Sequence, residues 1–260
     1  MITIPRPAES GHWYTIDGLP CYEVKAKDGN LRPTTLRDAR KLNLVPSVTT
    51  ISKCAAAPGL ENWKAQQVLL AALTLPKIEG EAEDAYIRRI MDDSRETARK
   101  AAERGTAIHA AIQGHYEGIP PHEDYWPHVK ATADLITANF GTHVWKAEES
   151  FAHPAGFGGK CDLSGQDLVI DFKTKEFCPD DAKRLAWDEH AMQLAAYRVG
   201  LGMPDARCAN VFISTTHPGH VALHVWGEDD LRKGWQCFLA LLTYWQARNG
   251  YMPVFDKAAA

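Results

Sequence analysis

The chain has 260 residues, with 45% hydrophobic and 24% charged, enough apolar mass for a sizeable core under an ordinary charged surface. The formal net charge of −4 excludes a global basic field of the kind that coats nucleic acid, but not an enzyme whose bound cations supply positive charge. No run of 18 apolar residues occurs, Met1 to Pro7 shows neither an apolar leader core nor an Arg-rich transit pattern, and Cys21, Cys54, Cys161, Cys178, Cys208 and Cys237 form no C-x-x-C pair. A membrane span, a zinc ribbon and a cysteine-ligated cluster are therefore set aside, and reduced thiols in a cytoplasmic setting are expected.

In chain order, residues 12–25 predict a hairpin, with His12 to Ile16 turning at Asp17-Gly18 into Cys21 to Val24. Thr34 or Thr35 caps a short helix reaching Lys41, and Ser47 caps another. Pro58-Gly59 breaks the chain before an apolar helix over about 60–73. A long helical stretch covers about 81–116, and its Arg88, Arg89, Arg95, Arg99, Lys100 and Arg104 read more simply as a solvated face balanced by Asp92, Asp93, Glu96 and Glu103 than as a phosphate-tracking surface. A further helix covers 123–140. Strands follow over 144–148, 159–164 and 168–173. Asp180 or Asp181 then caps a helix ending near Gly200. Strands 209–214 and 221–226 meet at a Pro218-Gly219 turn, and a last helix over 228–248 buries Leu231, Trp235, Phe238, Leu242 and Trp245. His115, His122, His128 and His143 lack ligand-like spacing and read as surface residues. This order predicts one α/β (α+β) domain, with a hairpin and mainly helical part over 1–140 and a sheet-containing core over 141–260.

The chemistry concentrates in Leu168-Val169-Ile170-Asp171-Phe172-Lys173. Strand side chains alternate, so Asp171 and Lys173 share a face. Charges in an apolar strand must be paired, hold a metal or reach water. An isolated D-x-K is most simply the exposed end of a strand. The preceding strand changes that reading. If Gly165-Gln166 makes a tight turn and Leu163 pairs with Leu168, Asp162 faces Val169 and joins Asp171 and Lys173; a slip of one residue puts it on the opposite face. Two confined carboxylates repel unless a cation sits between them, and oxygen ligands suit Mg2+ or Mn2+.

Taken together, Gly159-Lys160-Cys161-Asp162, then Val169 to Thr174, then Gln193-Leu194-Ala195-Ala196-Tyr197, resemble the PD-(D/E)xK nuclease superfamily. The upstream Gly105-x-x-x-His109 and the segment Pro46 to Ile51 narrow the likeness to its RecB-like and Cas4-like exonuclease branch, which includes phage exonucleases and the mitochondrial genome maintenance exonuclease. The four-cysteine cluster pattern of some members is lacking, as is a G-x-x-x-x-G-K-[ST] helicase motif. The resemblance implies a central mixed sheet flanked by helices. It makes Asp162 and Asp171 metal ligands, adds His109 from the helix and the Phe172 backbone carbonyl, and assigns a nearby strand glutamate to Glu148, beside Glu149. It makes Lys173 the residue that orients water and stabilises phosphoryl charge, with Gln193 and Tyr197 supporting it from one helix face. It further implies Mg2+ or Mn2+, DNA as the bound polymer at single-stranded or duplex ends, and a single-strand-binding or recombination protein as a possible partner in a phage-infected bacterial cell. An endonuclease of the same fold and an inactive DNA-binding module are the alternatives.

Overall fold

A computed structural model describes residues 12–55, 58–179 and 185–255. Short strands β1 (Trp13–Tyr14), β2 (Glu23–Lys25) and β3 (Leu31–Pro33) lead into α1 (Leu36–Leu42), β4 (Val45–Pro46), α2 (Val48–Ser52), α3 (Pro58–Thr74), α4 (Glu83–Tyr116) and α5 (Trp126–Phe140). Then come β5 (Lys146–His153), β6 (Phe157–Ser164), β7 (Leu168–Lys175), α6 (Asp188–Gly200), β8 (Arg207–Ser214), β9 (Val221–Val225) and α7 (Glu228–Asn249). The main sheet has the order β5-β6-β7-β8-β9 and is antiparallel except between β7 and β8. It is thus mixed, and the class is α/β.

Two apolar layers fix the helices to the sheet. On one face, Ile108 and Ile112 of α4 and Val129 and Ile136 of α5 pack with Leu163, Leu168, Ile170, Phe172 and Val211. On the other, α6, α7 and the N-terminal elements pack with Phe157, Cys161, Val169 and Phe212. Residues 168–172 of β7 are therefore buried on both faces, as a strand central in a helix-covered sheet must be. Helix α6 is enclosed between the sheet and α7. Its contact with α7 depends on Gly234, where a Cβ would stand 2.9 Å from the Ala191 carbonyl carbon and the Met192 nitrogen.

Capping follows local chemistry. Ser47 Oγ accepts the Thr50 N–H at 3.0 Å at the start of α2, and Thr35 and Asp38 form a capping box on α1. Helix α4 runs unbroken for 34 residues. Its Arg95, Arg99 and Lys100 pair along their own helix with Asp92, Glu96 and Glu103, as the solvated-face reading expects for these three, while Arg89 pairs with Glu81 ahead of the helix.

Several expectations are corrected. The Asp17-Gly18 turn forms, with Gly18 at φ 84. The returning chain, however, makes a single bridge, Tyr14 to Pro20, because proline has no N–H to continue the ladder. Trp13 and Tyr14 pair instead with Pro46 and Val45, and Glu23–Lys25 pairs with Leu31–Pro33. Pro58-Gly59 opens α3 rather than breaking the chain before it, as suits the first helical turn. Val144 lies outside β5 and is 86% exposed. The strand starts at Lys146, where β6 offers Ser164, and runs on to His153, whose Nδ1 accepts the Ala155 N–H in the following turn. Asp180 and Asp181 lie outside the described residues, and α6 begins at Asp188. His128 is buried within α5 rather than on the surface.

Replacing glycine by alanine inside a helix ordinarily gains up to about 1 kcal/mol. At position 234 the added methyl meets backbone, which cannot swing aside. Gly234→Ala is expected instead to lower stability by roughly 1–2 kcal/mol, within the usual cost of overpacking. The check is the urea midpoint at unchanged m-value. A midpoint at or above that of the native chain would show that α6 and α7 separate freely.

Candidate active site

The site lies where β6 and β7 part. Their ladder holds Leu163 opposite Ile170 and Ser164 opposite Val169. This register differs by two residues from the expected pairing of Leu163 with Leu168, because the turn spans Gly165 to Asp167 and closes with the Gly165 N–H on the Leu168 carbonyl at 2.8 Å. An even shift leaves faces unchanged, and its continuation sets Asp162 beside Asp171 rather than Val169. The backbone ladder stops there. The Asp162 carboxylate takes its place and accepts the Phe172 N–H at 2.7 Å.

Strict alternation also fails at this point. Ala147 and Leu163 pack on the α4/α5 side, whereas Phe151 and Cys161 lie on the α6/α7 side, although alternation would put all four on one face. Between them the ladder omits the pair Glu148 and Asp162, and Glu148 has φ 54. A non-glycine residue in that region costs energy and persists only where its surroundings impose it. The kink separates the two glutamates. Glu149 accepts the Ser164 hydroxyl at 2.5 Å and pairs with Lys146, while Glu148 pairs with Lys160.

Asp171 is 3% exposed and is compensated from two sides. Lys173 Nζ lies 2.6 Å from its Oδ2, and the Asn210 side-chain amide donates to the same oxygen at 2.7 Å. Lys173 also donates to Gln193 Oε1 at 3.0 Å, and Gln193 Nε2 donates to Tyr197 Oη at 2.8 Å. Asp171, Lys173, Gln193 and Tyr197 thus form one chain of contacts, as the spacing of Gln193 and Tyr197 on a helix allows.

His109 comes from α4, on the other side of the sheet. Gly105, one turn earlier, is where that helix touches β7: a Cβ there would stand 2.6 Å from Thr174 Oγ1. The close approach brings His109 Nδ1 to 3.9 Å from Asp162 Oδ2, with its ring edge-on to Phe172. The structure therefore brings together Asp162, Asp171, Lys173, Gln193, Tyr197 and His109, with Glu148 at the border. Phe172 enters through its N–H, which the Asp162 carboxylate accepts. Sequence reasoning missed Asn210 and Trp226, which stand behind Asp171; the available signal was a lone amide in the apolar run Ala209 to Ile213.

The electrostatics follow from burial. Desolvation, and then the neighbouring Asp171 carboxylate, push Asp162 up to about 8. Burial lowers His109, which favours a neutral imidazole with a lone pair to give, and raises Tyr197 well above its ordinary value, which keeps the phenol protonated. Carboxylate oxygens from Asp162 and Asp171 with one imidazole nitrogen make a donor set suited to Mn2+ or Mg2+. Among the described residues, no three His, Cys, Asp or Glu side chains already stand in ligating geometry, and the Lys173 ammonium supplies positive charge to the acid pair.

No family model matches the sequence, and no curated protein matches it. Among solved structures, the chain is similar to the "Putative exonuclease" from Eubacterium rectale, with 9% identity, 56% of this chain and 68% of that one covered, and a TM-score of 0.42. It is also similar to an alkaline exonuclease from Laribacter hongkongensis, with 16% identity, 79% and 89% covered, and a TM-score of 0.38. Both likenesses are remote, and the functional reading rests on the residues themselves.

The raised Asp162 has a consequence for stability. A carboxyl whose folded pKa exceeds its unfolded value keeps a proton that the unfolded chain releases, so its contribution is full at low pH and is lost as pH rises through the folded pKa. Without divalent ions, native stability should fall between the ordinary carboxylate range and about pH 8 on account of this group. Asp162→Asn stays neutral and still accepts from Phe172. Its melting temperature should exceed that of the native chain at pH 8, with the gap closing towards pH 4. A gap independent of pH would mean that Asp162 titrates as an ordinary carboxylate.

Proposed function

We propose that the chain is a divalent-cation-dependent nuclease of the RecB-like PD-(D/E)xK type, hydrolysing DNA phosphodiester bonds at free or single-stranded ends. The observation that supports it is the meeting of Asp162 and Asp171 from adjoining strands with Lys173, two residues further along β7. A buried acid, a half-buried acid and an ammonium around a gap in a sheet have no structural necessity, and apolar residues there would cost less.

On this reading Asp162, Asp171 and His109 hold Mg2+ or Mn2+, with Glu148 and the Phe172 carbonyl as further donors. A bound ion supplies a lowered water pKa and neutralises charge on the phosphoryl group. The remaining work falls to the chain. Lys173, held between Asp171 and Gln193, orients the attacking water and donates to the phosphoryl oxygens as negative charge builds on them. Gln193 fixes the ammonium, and Tyr197 fixes Gln193. The buried Tyr197 hydroxyl stays protonated, so it serves as a positioning group and not as a base. DNA is the proposed polymer, in recombination, repair or degradation, with a single-strand-binding or recombination protein as a candidate partner.

The test uses end-labelled linear and circular single-stranded DNA with Mg2+, Mn2+ or chelator. Cleavage should need the cation and consume linear strands while sparing circles. Cutting undiminished in excess chelator would remove the metal from the mechanism, and cutting of circles would make the enzyme an endonuclease. Lys173→Ala should slow single-turnover cleavage by about 10²–10³ while DNA affinity in Ca2+ changes little, because many phosphate contacts share binding and only the transition state needs this donor. Equal losses of binding and rate would make Lys173 a docking residue.

A further inference from the structure

Strand β8 lies parallel to β7 with Asn210 directly beside Asp171. Asn210 is fully buried among apolar neighbours. Its Nδ2 donates both to Asp171 Oδ2 at 2.7 Å and to the Asp171 main-chain carbonyl at 3.2 Å, so one amide grips side chain and backbone of the same acid. Behind it, Trp226 Nε1 donates to Asn210 Oδ1 at 2.8 Å. An indole N–H can only donate, so Oδ1 must face the tryptophan and the NH2 must face Asp171. Trp226 is itself fixed: its ring packs against His224 at 4.3 Å, and its backbone N–H donates to the Cys208 carbonyl at 2.9 Å.

Both donors to the Asp171 carboxylate, Asn210 and Lys173, fall on Oδ2. Among the described residues no donor reaches Oδ1. A carboxylate held by one oxygen through a locked amide has its rotation about the Cβ–Cγ bond fixed, and its other oxygen keeps its lone pairs.

We propose that Asn210, locked by Trp226, is a positioning residue that holds Asp171 by Oδ2 and reserves Oδ1 for a divalent cation. The inference rests on the nuclease reading above and deepens it, since it assigns the binding of the cation to one face of one carboxylate. A network of this kind carries a penalty when half satisfied, so an amide that served packing alone would be replaceable together with its indole partner. That separates positioning from packing.

The experiment measures Mn2+ binding by calorimetry, melting temperature and single-turnover cleavage of linear DNA for the native chain, Asn210→Ala, Trp226→Phe and the double variant. Outer-shell support of a metal ligand typically contributes about 10–100-fold in affinity. Asn210→Ala should weaken Mn2+ binding by about that factor and lower the melting temperature, because the indole N–H loses its acceptor. Adding Trp226→Phe removes the stranded donor and should recover part of the melting temperature while Mn2+ affinity stays low. Trp226→Phe alone keeps the amide but frees it to turn, and should give an intermediate loss. Saturating Mn2+ should restore most of the cleavage rate in each variant, since the chemistry is intact. Mn2+ affinity within twofold of native in both Asn210→Ala and the double variant would overturn the inference and leave the nuclease reading standing. A native chain that binds no Mn2+ would overturn that reading and the inference with it.

Discussion

The repulsion between Asp162 and Asp171 governs the rest of the site. Two carboxylates side by side in a sheet covered on both faces by helices cannot both stay charged without help, because burial penalises each charge and each penalises the other. The chain meets this with oriented donors rather than with solvent. The Phe172 N–H serves Asp162, the Asn210 amide and Lys173 serve Asp171, and the residual imbalance pushes Asp162 above the ordinary carboxylate range. Each device takes a backbone or side-chain group from ordinary structural use, which is why the β6–β7 ladder ends after two pairs.

The surrounding architecture serves that cluster by holding helices at short range from both sides. Gly105 lets α4 lie on β7, and this contact delivers His109 from the α4/α5 layer. From the other layer, α6 delivers Gln193 to Lys173, with Tyr197 packed behind it against Gly159 and Phe151. Helix α6 is in turn held by α7 through Gly234 and by the ion pair of the buried Arg198 with Glu228, whose two bonds are both 2.8 Å. A side chain set on a helix enclosed in this way loses little further freedom when it acts, which is the condition for a preorganised donor.

Charge on the outer surface has a lesser role. Arg95, Arg99 and Lys100 in the middle of α4 pair with acids a turn away, and the net charge is −4. On the proposed reading, attraction for a polyanion would have to be local. Among the described residues, Lys173 and the Glu148-paired Lys160 bring positive charge to the site, and a bound divalent ion would add to them.

Much of this was legible in the sequence, and the reason is periodicity. Apolar spacing marked α7, and hydroxyl caps marked α1 and α2, because those signals act within a few residues of chain. Alternation alone placed Asp171 and Lys173 on one face of β7, and a four-residue step placed Gln193 and Tyr197 together, since each pair lies within a single regular element. What lay between elements was decided by tertiary structure. The β6–β7 register came out two residues from the expected pairing, β1 chose β4 over its own hairpin partner, and the reversal of faces at Glu148 and Asp162 has no periodic signature. Asn210 and Trp226 stand 39 and 55 positions beyond Asp171 by residue number, and only the parallel pairing of β7 with β8 makes them its neighbours. The sequence by itself determined which residues could do the chemistry, because residue type and local period are properties of short segments. Which oxygen of which carboxylate remains free was decided by the packing of strands and helices distant in the chain, because a hydrogen bond across a sheet depends on register, and register is set by the whole core.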